Sequence, residues 1–311
     1  MIGTITLNPS IDICYYIDEF HNNEVNRCSN YYKTAGGKGL NVSKVLKQLG
    51  CEIMPTGFLG GENGQLIKKE LNHMNITPNF VEINEDTRNC IAILSKGSQT
   101  EILETGPTIS ERESESLLQL ILNLIMKRDL KVISASGSIP HSLGSNYYYK
   151  LIKLVNEKKV KFVLDTSGAS LRESLLAAPF LIKPNIFEIE DLLNVRIESE
   201  KDVITSLYKL RDYNIEMIVV SLGQNGSIAL CGDKIYKASI PNVKVINPVG
   251  SGDAMVAGMV KEIHSNSCYE EILRVGNTCG ILNAMNKKTG EIDLSYFKEI
   301  YDQIHIEKVI V

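Results

Sequence analysis

The sequence predicts an α/β fold: a three-layer α/β/α sandwich with a mainly parallel central sheet and a small β-sheet lid. Three observations carry this expectation. Short apolar, β-rich runs alternate with amphipathic helical stretches, the rhythm of parallel strands joined by crossover helices. Two stretches break the rhythm with strand-like pairs that have no helix between them. Glycine-rich segments open several of the helices.

Taken in order, IGTITL reads as a buried strand that ends at Asn-Pro-Ser. Residues 12–34 (IDICYYIDEF, then NRCSNYYKTA) form the first strand-like pair. LNVSKVLKQL is an amphipathic helix stopped by Gly50. EIMPTGFL returns to the sheet, and GQLIKKELNHM covers it. Residues 88–106 (TRNCIAIL, then TEILETG) make the second pair, so the lid draws on about 12–34 and 88–106. A long helix at 111–128 follows, then KVISAS, the helix NYYYKLIKLVNEK, and the strands KFVLDTS, FLIKPN and EMIVVSL. SIALCG and KIYKAS read as a hairpin, and an apolar helix follows NPVGSGD. With no repeat, low-complexity tract or Pro/Ser-rich linker, residues 1–311 read as one domain with a lid.

Composition narrows the function. With 43% hydrophobic and 23% charged residues the chain can bury a large core, and its net charge of −4 gives no basic face for nucleic acid. Seven cysteines, odd in number and without a C-x-x-C pair, read as reduced thiols and mostly as small core residues. The five histidines have no ligand spacing. MIGTITLNPS lacks the basic flank and long apolar stretch of a signal peptide. LLQLILNLIM, interrupted by Gln119 and Asn123, is too short to span a bilayer. The expectation is a cytoplasmic protein without nucleic-acid or membrane partners.

Chemistry concentrates in four segments. In NPVGSGDAMVAG, Gly250, Ser251 and Gly252 turn the backbone so that N–H groups meet the positive end of a helix, an anion hole. Asp253 stands on the first turn. A carboxylate there would repel a resting phosphate, but suits a base facing a hydroxyl that attacks a phosphoryl group; alternatively, it only offsets the helix dipole. No Walker A pattern occurs, and Met255 breaks a dinucleotide fingerprint. In AGGKGLN, Gly37 and Lys38 offer a cation among backbone donors for a phosphate or polyol, or the glycines merely permit tight helix–sheet packing. In KPNIFE, Asn185 and Glu188 share a face that suits magnesium or serves as a capping box. SLGQNG lets backbone approach a nucleotide, or makes a plain turn.

The order of NPSID, GGKGLN, KPNxxE, SLGxxG and NPVGSGD, from Thr6 to about Thr289, resembles the PfkB family of ribokinase-like sugar kinases. That resemblance implies the ribokinase-like sandwich with a β-lid, ATP as phosphoryl donor, and magnesium. It implies that Asp253 is the catalytic base, with Gly250 to Gly252 as its anion hole. Asn185 and Glu188 would organise magnesium and phosphates, directly or through water. Lys183, Ser221, Gly223 and Gly226 match nucleotide contacts, and Asn283 lies where the adenine side is completed. Asp12 matches the acid that binds sugar hydroxyls, with Gly37 and Asn41 beside it.

Arg27, Lys38, Arg88, Ser136 and Ser138 are the candidates for a phosphate already on the sugar. For Arg27 a solvated lid charge is the alternative. The run TRNCIAIL…TEILETGP is most similar to family members that phosphorylate tagatose 6-phosphate at the 1-hydroxyl. Members acting on fructose 1-phosphate come next, and neutral-sugar kinases after them. A sensor that kept the fold but lost catalysis, or a dinucleotide oxidoreductase, fits less well, because Asp253 is present and the fingerprint fails. Many members have Ala at Ser251 and an Asp-Thr lead-in where this chain has Asn247 and Pro248, which leaves monovalent-cation activation open. A homodimer formed through the lid is a further expectation.

Overall fold

The computed structural model describes residues 1–309; Ile310 and Val311, which the expected domain boundary includes, lie outside the described residues. Fourteen strands and ten α-helices follow one another along them. The strands are β1 (Ile2–Thr6), β2 (Ser10–Tyr16), β3 (Asn30–Gly36), β4 (Ile53–Gly60), β5 (Val81–Ile83), β6 (Arg88–Ser95) and β7 (Ser98–Leu103). They continue as β8 (Val132–Ser136), β9 (Lys161–Asp165), β10 (Leu181–Ile182), β11 (Met217–Ser221), β12 (Ser227–Cys231), β13 (Lys234–Ser239) and β14 (His305–Val309). The helices are α1 (Lys38–Gln48), α2 (Gly61–His73), α3 (Glu111–Arg128), α4 (Tyr147–Asn156) and α5 (Gly168–Ser174). After them come α6 (Ile186–Leu193), α7 (Glu200–Lys209), α8 (Ser251–His264), α9 (Tyr269–Ala284) and α10 (Phe297–Gln303).

The main sheet has ten strands in the order β14-β13-β12-β11-β10-β9-β8-β1-β4-β5. From β5 to β11 every pairing is parallel, while β12, β13 and β14 add antiparallel ribbons at one edge. Side-chain alternation along the strands builds two cores. Val132 packs with α1, α2 and α8–α10 on one face; its neighbour Ile133 packs with α3–α7 on the other. This is the expected three-layer sandwich. The strand read in FLIKPN shrinks to Leu181–Ile182, because Pro184 has no N–H for the ladder and Asn185 already caps α6.

The two strand pairs form a separate four-stranded sheet, β3-β2-β6-β7. Each pair is a hairpin, and β2 and β6 join them in parallel with Ser10 opposite Arg88 and Asp12 opposite Cys90. An ion pair between buried Lys44 and half-buried Glu70 fastens this lid where β3 turns into α1. Lys44 donates to the Ala35 carbonyl at 2.6 Å and lies 3.3 Å from Glu70 of α2. Glu70 in turn accepts from the Ala35 amide at 2.6 Å and the Thr34 hydroxyl at 2.8 Å. The cysteines are all free, but only Cys14, Cys231 and Cys279 are buried, so the expectation of mostly core thiols is corrected. No helix among the described residues is long and apolar enough to cross a membrane.

Candidate active site

The sheet order reverses between β1, from which the chain runs outward to β4 and β5, and β8, from which it runs the other way. In open α/β sheets ligands bind beyond the carboxyl ends of the strands at such a switch point. Here a cleft of about 970 Å³ opens at that place, with lid residues over one end and Asn185, Glu188, Lys287 and Thr289 at the other.

Helix α8 points its N-terminus into this cleft. Gly250 precedes it with φ 81°, a left-handed turn that a side chain would strain. The Ser251 amide is already spent on the Pro248 carbonyl at 3.2 Å. The Gly252 and Asp253 amides have no backbone acceptor, so the free donors are fewer than the Gly250–Gly252 motif implied. Asp253 is buried, 5% exposed, and accepts a hydrogen bond from the Asn41 amide at 2.8 Å. Burial first, and then the negative charge of Asp165, push its carboxyl up to about 7 against the pull of Asn41, Lys38 and Lys183. An acid that only offset the helix dipole would gain by staying exposed and charged. A buried carboxyl that exchanges its proton near neutrality can instead accept one from a substrate hydroxyl.

Around it the motif residues converge. Lys38 starts α1 and remains 44% exposed, whereas Lys183 is 6% exposed. Both flank Asp165, whose carboxylate raises the Lys38 ammonium's affinity for its proton. Asp12 lines the lid end; the Ser10 hydroxyl donates to it at 2.6 Å, and burial raises its carboxyl above the usual aspartate range. Gly37, Asn41, Ser136, Ser138, Asn185, Glu188 and Ser221 also line the cleft, and the Ser136 hydroxyl is buried without a partner. A Cβ on Gly39 would come within 2.5 Å of the Ile5 carbonyl, so at that glycine the packing alternative holds.

Asn185 and Glu188 form a capping box: the Asn185 side chain accepts from the Glu188 amide and Glu188 Oε2 from the Asn185 amide, both at 2.9 Å. Glu188 Oε1 makes no hydrogen bond, and Glu188 lines the same cleft. With these oxygen donors near two cationic lysines, the set fits a hard divalent ion held largely through water and by the substrate's own phosphates. It does not fit an all-protein cage, and no cluster of three or more His, Cys, Asp or Glu occurs among the described residues.

Several expected site residues lie elsewhere. Arg27 is exposed on the loop between β2 and β3 and does not line the cleft. Asn283 is fully buried, its amide donating to the Val249 carbonyl at 2.8 Å and its oxygen accepting from the Gly290 amide at 2.9 Å. Both ends being used, it braces the anion-hole loop from behind. Gly223 and Gly226 shape the turn between β11 and β12, outside the cleft wall that Ser221 lines. Ser251 also stays off that wall. Arg88 lines the cleft, but its two terminal nitrogens donate to the Glu104 and Asn8 carbonyls at 2.8 and 3.1 Å, leaving Nε buried and unpartnered.

Sequence reasoning passed over Asp165. It ends β9, 1% exposed, with Lys183 at 3.4 Å and Lys38 at 3.7 Å. Its one available signal was a carboxylate at the carboxyl end of a parallel strand, in KFVLDTS.

Comparisons with known proteins meet this geometry at the level of a family. The family described as pfkB family carbohydrate kinase matches residues 5–294. A tagatose-6-phosphate kinase of Staphylococcus epidermidis is 45% identical over 312 residues, covering 99% of this chain and 100% of that protein. Phosphofructokinase-2 from Escherichia coli, solved in complex with potassium, superposes with a TM-score of 0.90 at 25% identity over 97% of this chain and 98% of that one. The ribokinase of Arabidopsis thaliana, solved with ribose and ATP, shares the fold with a TM-score of 0.80 at 21% identity over 96% and 98% of the two chains.

Proposed function

The chain belongs to the pfkB family of carbohydrate kinases, and from that premise we propose that it transfers the terminal phosphoryl group of ATP to the 1-hydroxyl of tagatose 6-phosphate, giving tagatose 1,6-bisphosphate and ADP. The observation that carries the reading is buried Asp253, held by Asn41 at 2.8 Å beside the free amides at the start of α8. The 45% identity to a tagatose-6-phosphate kinase supports the choice of sugar.

Asp253 takes the proton of the 1-hydroxyl as that oxygen bonds to phosphorus and the bond to the ADP oxygen breaks. Asn41 fixes the direction of the carboxylate, and the Gly252 and Asp253 amides receive the charge that grows on the phosphoryl oxygens. Lys38 and Lys183 bring two positive charges to the same path. Asp12 orients the sugar hydroxyls from the lid, while Arg88 and Ser138, which line the cleft, take the phosphate carried by the sugar. Glu188, with Asn185, would hold a magnesium ion, which neutralises the nucleotide phosphates when bound.

The described fold works as one kinase unit in the cytoplasm. Phe20, Val25, Tyr31 and Ile102 leave apolar surface on the lid, where a second copy would meet it in a homodimer. The Asn247 amide donates to the Lys287 carbonyl at 3.1 Å and lies 3.5 Å from the Thr289 hydroxyl. It thus already draws together acceptors that a monovalent cation could otherwise gather.

The experiment is ATP consumption coupled to a spectroscopic readout across tagatose 6-phosphate, fructose 6-phosphate, fructose 1-phosphate and ribose. The highest kcat/KM is expected for tagatose 6-phosphate. A clear preference for fructose 1-phosphate would reassign the substrate, and a preference for ribose would remove the phosphate site from the argument.

A further inference from the structure

We propose that Asp165 is a positioning residue for phosphoryl transfer: its carboxylate parks Lys38 and Lys183 beside the anion hole and releases them to the phosphate oxygens. The proposal rests on the kinase reading above. Its basis is how incompletely this buried carboxylate is satisfied. Asp165 is 1% exposed at the cleft wall, and neither of its carboxylate oxygens accepts a hydrogen bond. Lys183 Nζ stands 3.4 Å from Oδ1 and Lys38 Nζ 3.7 Å from Oδ2, so both cations are paired by charge without being hydrogen-bonded. Its main-chain carbonyl accepts from the Gly137 amide at 2.9 Å, which fixes the backbone that carries it.

The ion pair of Lys44 and Glu70 shows what a structural role looks like here. Lys44 donates to the Ala35 carbonyl and lies 3.2 Å from the Thr34 hydroxyl, while Glu70 accepts from the Ala35 amide and the same hydroxyl. A buried charge such as that of Lys44 offsets its desolvation by filling its hydrogen bonds in this way. Asp165 and its lysines leave theirs open, and all three face the cleft. Phosphate oxygens entering there complete the donors of both lysines, and the Asp165 carboxylate remains beside them. No bond to Asp165 forms or breaks. Its charge also acts on Asp253, which faces Asp165 from β9, Asn41 and Lys38 from α1, and Lys183 from the segment after β10. The Asp165 charge therefore makes Asp253 a stronger base.

The test is Asp165→Asn, which keeps shape and removes charge. Misplaced lysines should lower kcat by about 10- to 100-fold. The KM for ATP should not rise, and ADP measured calorimetrically without magnesium should bind as tightly or more tightly, because the cleft loses one negative charge. The acid limb of the kcat/KM profile should move to lower pH. Unchanged kcat and an unmoved acid limb, with only a lower Tm, would make Asp165 a piece of scaffold and overturn the proposal. A raised magnesium requirement with an unmoved acid limb would overturn it too, by making the carboxylate a metal ligand. A wild type inactive on every sugar would instead count against the kinase reading, and the ADP comparison would still decide the role of Asp165. If Asp165→Asn does not fold, the double variant Lys183→Met/Asp165→Asn should recover soluble protein by removing both buried charges. Failure to recover it, with Lys183→Met itself soluble, would refute the pairing.

Discussion

Replacing Asp253 by Asn should disable the enzyme and stabilise it at the same time. The carboxyl is raised from an ordinary 3.8 to about 7, first by burial and then by the Asp165 charge. That difference of about three pH units corresponds to roughly 4 kcal/mol, at ~1.4 kcal/mol per unit. Because the folded value lies above the unfolded one, the native state binds the proton more tightly. The stability linked to this group is complete below pH 4 and is lost as pH rises toward 7. Above pH 7 the wild type carries a buried charge that the amide does not, so Asp253→Asn should be the more stable protein by up to roughly 4 kcal/mol. For a chain of this length that is several degrees in Tm. The gap should close between pH 7 and pH 4. Asn keeps an oxygen for the Asn41 amide, so the local hydrogen bond survives. Turnover should fall by roughly 10²–10⁴, the usual loss for a general base. Calorimetric melts of both proteins from pH 4 to 9, with steady-state rates at saturating substrates, provide the assay. Wild-type turnover in the variant would refute the base assignment, and a pH-independent Tm difference would refute the raised carboxyl.

Glu188→Gln separates two roles, since a glutamine still closes a capping box. Melting should hardly change, while the magnesium needed for half-maximal rate should rise; an unmoved magnesium titration would leave Glu188 as a cap alone. Arg88→Ala should lower kcat/KM for the sugar phosphate by about one to two decades, mostly through KM, with the KM for ATP unaffected. Equal losses on a phosphorylated and an unphosphorylated ketose would mean that Arg88 only ties the lid to the Glu104 and Asn8 carbonyls. Exchange of potassium for a bulky organic cation should leave turnover unchanged, because Asn247 already bridges Lys287 and Thr289. A strong potassium requirement would refute that reading of the loop.

By itself the sequence determined what local chemistry determines. Alternating strands and helices marked the layers, and two pairs without a helix between them marked the lid, because side-chain period and turn residues act over a few positions. Glycine before Ser251 and a carboxylate at Asp253 marked a helix start able to hold an anion. The spacing of Asn185 and Glu188 was equally legible but ambiguous, since one geometry serves a cap and an ion. Tertiary structure decided the rest. Asp165 became part of the site only when the order β10-β9-β8-β1 set its strand end beside Lys38 and Lys183, which no local pattern reports. Arg27 and Asn283 carried suitable side chains, yet the lid loop turned one outward and the packing of α9 buried the other behind the anion hole. Which residues can reach a cleft is fixed by how distant segments pack, and the charge of a buried carboxyl is fixed by its neighbours there. Both are properties of the assembled sheet.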